Sequence, residues 1–161
     1  MKAHVLALSL ALAAPPAAVA QEAVFLVRHA ERADSSADST LSEAGEARAL
    51  RLAGWLNAAR ITHIYTSELR RTIQTAMPFG AASRLSPQQA PAGNTQALVN
   101  QVTALGSHDR ALIVGHSNTI PEILRGLGVK AAVTIADSEY DNIFLVVPRK
   151  DAEPALFRFK Y

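Results

Sequence analysis

The sequence predicts an α/β fold in which helices cover both faces of a mostly parallel central sheet, giving three layers. Two observations carry that expectation. Several short segments are apolar but for their first residue or entirely so, at 23–27, 110–115 and 142–148, which suits strands buried on both faces rather than strands with one wet side. Between them lie longer stretches whose apolar residues recur at helical spacing, and alternation of the two kinds implies β-α-β units.

Each element has its own justification. Ala23–Val27 reads as a buried strand. Ser42 can cap a helix over 43–59, where Ala49, Leu52, Ala53 and Leu56 share a face and Glu43 and Glu46 sit where the helix dipole favours anions. "THIYTS" (62–67) is the next short strand, and Ser67 is expected to cap a helix that runs to Met77 and stops at Pro78. Residues 79–93, rich in Ala, Ser, Pro and Gln, read as a loop. Asn94 opens a helix with Leu98, Gln101, Val102 and Leu105 along one side, closed by Gly106. "RALIVG" (110–115) is a strand, followed by a helix from Thr119 to Leu127 with Pro121 in its first turn and Gly128 at its end. "NIFLVVP" (142–148) and "ALFRF" (155–159) are expected as late strands, paired as a hairpin at the sheet edge.

The first twenty residues stand apart. "MKAHVLALSLALAAPPAAVA" places Lys2 before an apolar run from Val5 to Ala14, then prolines and "AVA" ahead of Gln21. That order is the pattern of a secretory signal peptide cleaved after Ala20. The run is short of the roughly 20 residues that cross a bilayer, so no stable membrane anchor is expected after cleavage. Removing 20 of 161 residues leaves 141, a single domain over 21–161 in a periplasmic or secreted protein.

Composition narrows the function further. The formal charge is only +2, and the basic residues are scattered without interleaved aromatics, so a nucleic-acid partner is not expected. The chain has no cysteine, which excludes disulfides, thiolate metal sites and a cysteine nucleophile.

In parallel α/β sheets ligands sit beyond the carboxyl ends of the strands. Arg28 and His29 end the first strand, His116 ends "LIVGHSN", and Arg70 and Arg71 follow "YTS". Guanidinium groups match phosphate oxygens and stay charged at any working pH. Neighbouring cations keep an imidazole neutral, so it can attack phosphorus. This chemistry calls for no metal and no cofactor; zinc on His29 and His116 would lack a third ligand at a recognised spacing. Each feature also has a plainer reading. Arg70 and Arg71 could lie on a solvated helix face, and His116 could sit in a helix cap beside Ser117, Asn118 and Thr119. His63 and His108 are expected at the surface or a strand edge, and His4 leaves with the signal peptide.

Four segments in order, "LVRHAE" (26–31), "LSEAGEARALRLAGWL" (41–56), "IYTSELRRTIQTA" (64–76) and "LIVGHSN" (112–118), resemble the signature segments of the histidine phosphatase superfamily, the phosphoglycerate mutase-like group. The resemblance implies that family's α/β/α fold. It also implies His29 as the nucleophile that becomes phosphohistidine, Arg28 and Arg71 as ligands of the phosphoryl oxygens, and His116 as the second histidine on the phosphoryl group. Ser67, Arg71, Thr75 and Ala76 set the register, leaving Arg70 as a flanking residue. One role stays open. Many members carry an acidic proton donor between the second arginine and second histidine, yet Thr72–Ser107 holds no Asp or Glu, and the residue after His116 is Ser117. Glu31, Glu122, Asp137, Glu139 and Asp141 remain candidates.

The expected function is an exported, metal-independent phosphatase acting on phosphoric esters or phosphoramidates, with a small-molecule or envelope-linked phosphorylated substrate. A weakly catalytic phosphate-binding or sensing module is the alternative, and a mutase ranks below both. The short 79–93 segment leaves little room for a cap, so the pocket should be open.

Overall fold

The computed structural model describes residues 21–161, so the expected signal peptide at 1–20 lies outside the described residues. Six strands form one sheet: β1 (Ala23–Arg28), β2 (His63–Thr66), β3 (Gln88–Gln89), β4 (Arg110–Gly115), β5 (Asn142–Arg149) and β6 (Ala152–Lys160), in the order β3-β2-β4-β1-β5-β6. β3, β2, β4 and β1 run parallel, β5 runs against β1, and β6 runs against β5. The last two strands form the expected edge hairpin, turned at Asp151 with a positive φ of 57°.

Four helices cover the sheet: α1 (Glu43–Leu56), α2 (Arg70–Ser83), α3 (Thr95–Thr103) and α4 (Thr119–Gly126). The alternation of side chains along each strand explains the two-sided burial. Ala23, Phe25 and Val27 of β1, with Leu112 and Val114 of β4, meet Leu52 and Leu56 of α1 and Ala76 and Phe79 of α2. Val24, Leu26, Ala111 and Ile113 point the other way, onto Leu98, Val99 and Val102 of α3 and Ile120, Ile123 and Leu124 of α4. Each fully buried leucine or isoleucine contributes about 1.5–3 kcal/mol. Both layers are needed because neither face of these strands has polar side chains to offer water.

The structure corrects three expectations. α1 ends at Leu56 rather than at 59. Pro78 does not stop α2, which continues to Ser83 and absorbs part of the expected loop 79–93; the short β3 takes another part. A proline inside a helix costs about 3 kcal/mol through its lost N–H and its ring. Burial of Phe79 and Gly80 beneath the sheet holds the extra turn, and Arg84 at φ 59° closes it with its N–H on the Gly80 carbonyl. Ser67 is not the cap of α2: that position is Leu69, without a side-chain cap.

α1 is seated directly on the segment that follows β1. Ser42 accepts the Gly45 N–H at 3.2 Å, and the Ser42 N–H donates to the Glu31 carbonyl at 2.9 Å. A Cβ on Gly45 would run into that same Glu31 carbonyl and crowd its N–H at 3.1 Å. Gly45→Ala should therefore lower stability by about 1–3 kcal/mol despite alanine's better helix propensity. A urea denaturation midpoint equal to or above that of the parent protein would contradict this packing.

Candidate active site

The site grows from the carboxyl ends of β1 and β4. These strands pair in parallel with Arg28 opposite Gly115, and the His29 N–H donates to the Gly115 carbonyl at 2.9 Å. His29 and His116 therefore leave adjacent strand ends at the same level, their ring centroids 5.3 Å apart. Arg71 comes from the first turn of α2. Arg28, His29, Arg71 and His116 all line one open cleft of about 450 Å³, with Arg32, Leu69, Ser117, Asn118 and Asp137 among its other walls. The four residues singled out in the sequence are thus brought together. Arg70, which the sequence left beside them, turns aside to the Asp38 carboxylate at 3.1 Å.

His29 is 5% exposed. Its Nδ1 lies 2.7 Å from the Ala30 carbonyl; a carbonyl only accepts, so Nδ1 carries the proton and Nε2 keeps a lone pair. Burial first, and then Arg71, Arg28 and competition with His116 for a proton, depress its pKa to about 3, against the pull of the Ala30 hydrogen bond. His116 is depressed to about 4, by burial first and then by Arg71 and Arg28, with Glu68 opposing. Both imidazoles are neutral near pH 7.

The cations are held in different ways. Arg28 Nη1 donates to the carbonyls of Ala136 and Asp137 at 2.9 Å and of Glu139 at 3.2 Å. Its guanidinium carbon sits 4.1 Å from the centre of the Tyr140 ring, within cation–π range. Arg71 Nη1 donates to the Ala37 carbonyl at 2.8 Å. Nε of Arg28 and Nε of Arg71 are buried and find no partner within the described residues. Buried donors are rarely left unpaired; what suits an anion is that Arg28, Arg32 and Arg71 line one open cleft.

Several contributors escaped the sequence reading. Ser67 Oγ is 3.0 Å from His116 Nε2 and 2.9 Å from Thr72 Oγ1, so it orients the second histidine. Its place at the end of β2 was the available signal, since the strand-end rule that picked out His116 applies there equally. Thr75 Oγ1 accepts the Ala30 N–H at 2.9 Å and ties α2 to the histidine segment. Tyr140 and Arg32 gave no local signal: Tyr140 matters through the Arg28 guanidinium against its ring, and Arg32 through the cleft it lines.

The five candidate carboxylates separate clearly. Glu31 is paired bidentately with Arg48, Glu139 with Arg158, and Asp141 with Lys160. Glu122 accepts from Thr95 at 3.3 Å. Asp137 alone of the five lines the cleft, with its side chain fully exposed and 4.0 Å from Arg28 Nη2. Glu68 lies near the histidines too, but backbone hydrogen bonds from its own segment and from Ala92 hold it below the usual carboxylate range.

Fold and site together define a three-layer α/β protein with an arginine-lined, two-histidine anion cleft. The sequence matches the profile of the histidine phosphatase superfamily (branch 1) over residues 24–94. It is 45% identical over 60 residues to the protein named "Probable phosphoglycerate mutase GpmB" of Cronobacter sakazakii, a stretch covering 33% of this chain and 28% of that protein. The fold is similar to that of the mycobacterial glucosyl-3-phosphoglycerate phosphatase (TM-score 0.67, 14% identity, 87% of this chain and 98% of the other). It is likewise similar to the protein histidine phosphatase SixA in complex with tungstate (TM-score 0.64, 19% identity, 86% and 96%). At these identities the structural likeness is one of fold; the sequence match to the histidine phosphatase superfamily (branch 1) spans residues 24–94, which hold three of the four signature segments.

The neutral histidines carry a pH dependence whose sign is set by their depressed pKa values. In the unfolded chain an imidazole titrates near 6.5, so below that pH the unfolded state binds protons that the folded state refuses. Stability should fall as pH drops from about 6.5 towards 4, by at most about 1.4 kcal/mol per pH unit for each histidine. His29→Asn with His116→Gln keeps similar hydrogen-bonding atoms but removes the titration. Urea midpoints at pH 7 and pH 5 should converge in this variant; a drop as steep as in the parent protein would refute the assignment.

Proposed function

We propose that the protein is a phosphatase that transfers a phosphoryl group to Nε2 of His29 and then hydrolyses it. The observation that carries this reading is the His29 ring, with Nδ1 bound to Ala30 and Nε2 free, set among guanidinium groups whose inner nitrogens lack partners. The Nε2 lone pair attacks phosphorus while the bond from phosphorus to the leaving oxygen or nitrogen breaks and that atom takes the electron pair. Water then displaces the histidine, giving inorganic phosphate. Arg28, Arg71 and His116 surround the equatorial oxygens, where charge accumulates. The match of residues 24–94 to the histidine phosphatase superfamily supports this chemistry, as do the names of the fold's neighbours, a glucosyl-3-phosphoglycerate phosphatase and a protein histidine phosphatase.

The carboxylates shape the substrate preference. Among the described residues the carboxyl group that lines the cleft, Asp137, is fully exposed beside Arg28 rather than enclosed over the phosphoryl site, so protonation of a poor leaving group is weakly assisted. Phosphoramidates, acyl phosphates and aryl phosphates, which leave with little or no proton transfer in the enzyme, fit this cleft better than alkyl phosphates. The same lack of an acid favours the second reading, a phosphate-binding module with little turnover. The basic–apolar–small order of residues 1–20 supports an exported enzyme with a small or envelope-linked phosphorylated substrate.

Hydrolysis of p-nitrophenyl phosphate and of phosphoramidate by the purified protein tests the proposal. Turnover should persist with EDTA, fall to background in His29→Ala, and lose about a hundredfold in kcat/KM in Arg71→Ala. Undiminished turnover in His29→Ala would overturn the mechanism; tight phosphate binding without turnover of either compound would favour the binding module.

A further inference from the structure

Arg32 is the cation of the cleft that the reaction above does not use. Arg28, His29 and His116 are 7%, 5% and 7% exposed, and together with the half-buried Arg71 they form the floor. Arg32 lines the same cleft but is exposed, which places it on the wall above that floor. Its backbone is pinned by a bridge to Leu41. The neighbouring Ala33 N–H donates to the Thr40 carbonyl at 2.9 Å, so the residue projects from a braced loop rather than a free one. Arg32 and Arg71 line the same cleft, and the charge of Arg32 opposes that of Arg71.

Arg32 also lacks a counter-ion. Arg48, Arg70, Arg110 and Arg158 each pair with a carboxylate at 3.1 Å or less, whereas no carboxylate of the described residues pairs with Arg32. The carboxylate that lines the cleft, Asp137, stands at Arg28 instead. A phosphoryl group seated on the floor already has Arg28, Arg71 and the two histidines, and its leaving group must extend outward along the wall.

We propose that Arg32 is a specificity-determining residue that receives a second oxyanion, a carboxylate or a further phosphate, carried on the leaving-group side of the substrate. This rests on the phosphatase reading for the orientation of the substrate, but not for the binding itself. A guanidinium matches either anion in bidentate fashion. A hydrogen-bonded charge pair of this kind is worth about tenfold in affinity. The substrate class narrows accordingly, from any phosphomonoester to one with two anionic groups.

The test uses phosphonates, whose carbon–phosphorus bond survives the reaction, so binding is read whether or not the protein turns over. Three benzylphosphonates bearing a meta carboxylate, a meta carboxamide or a meta phosphonomethyl group would be titrated calorimetrically into the full protein and into Arg32→Gln. The parent should bind at least one of the doubly anionic compounds about tenfold more tightly than the carboxamide, and the preferred compound identifies carboxylate or phosphate. Arg32→Gln should erase that preference while changing the carboxamide Kd less than about twofold. Equal affinities in the parent, an equal loss for all three in the variant, or no binding of any would overturn the proposal. A preserved preference with no hydrolysis of aryl phosphates would strike the phosphatase reading alone.

Discussion

The pairing of β1 with β4 is the constraint on which the site depends. Their parallel register sets Arg28 opposite Gly115, so the next residue on each strand is a histidine, and strands that lie about 4.8 Å apart bring the two rings to 5.3 Å. A slip of one residue would turn every side chain of β1 to the opposite core. The two packed cores forbid that: Val24 and Leu26 belong with α3 and α4, and Phe25 and Val27 with α1 and α2. Hydrophobic packing far from the cleft thus fixes the spacing of two polar rings inside it.

The second theme is how the protein tolerates so much positive charge in a buried place. The carboxylate that lines the cleft, Asp137, is fully exposed and no nearer than 4.0 Å to Arg28. Arg28 is steadied by three backbone carbonyls of the segment before β5 and by the Tyr140 ring. That segment is braced in turn, for the Tyr161 hydroxyl donates to the Tyr140 carbonyl at 3.2 Å. Carbonyls and an aromatic face stabilise a cation without neutralising it, so the positive potential remains available to a ligand. Burial first, and the neighbouring cations second, keep both imidazoles unprotonated, which leaves a lone pair on His29. An anion entering the cleft would relieve the mutual repulsion of Arg28, Arg32 and Arg71, which line it together.

The histidine segment is also tied down mechanically. Ala30 donates to Thr75 of α2, Glu31 accepts from Ser42 at the start of α1, and His29 donates to Gly115 of β4. Three elements therefore converge on residues 29–31, and the close seat of Gly45 shows how little slack remains between them. Such bracing is what a nucleophile needs if its lone pair is to meet phosphorus without reorganisation.

How much was legible in the chain follows from the range of each interaction. Apolar runs and helical periodicity are local patterns, and they placed β1, β4, α1, α3, α4 and the terminal hairpin to within a few residues. The strand-end rule then picked Arg28, His29 and His116 from their position alone, and the four ordered segments added Arg71. What failed locally did so because tertiary burial outweighed local preference: Pro78 stays inside α2 because Phe79 and Gly80 are buried beneath the sheet, and Ser67 serves His116 rather than a helix end. The sequence by itself determined the kinds of groups that meet in the cleft, since residue chemistry and strand order are written along the chain. Only the tertiary structure decided which carboxylates stay outside it and which arginines line it, because those depend on contacts between residues dozens of positions apart.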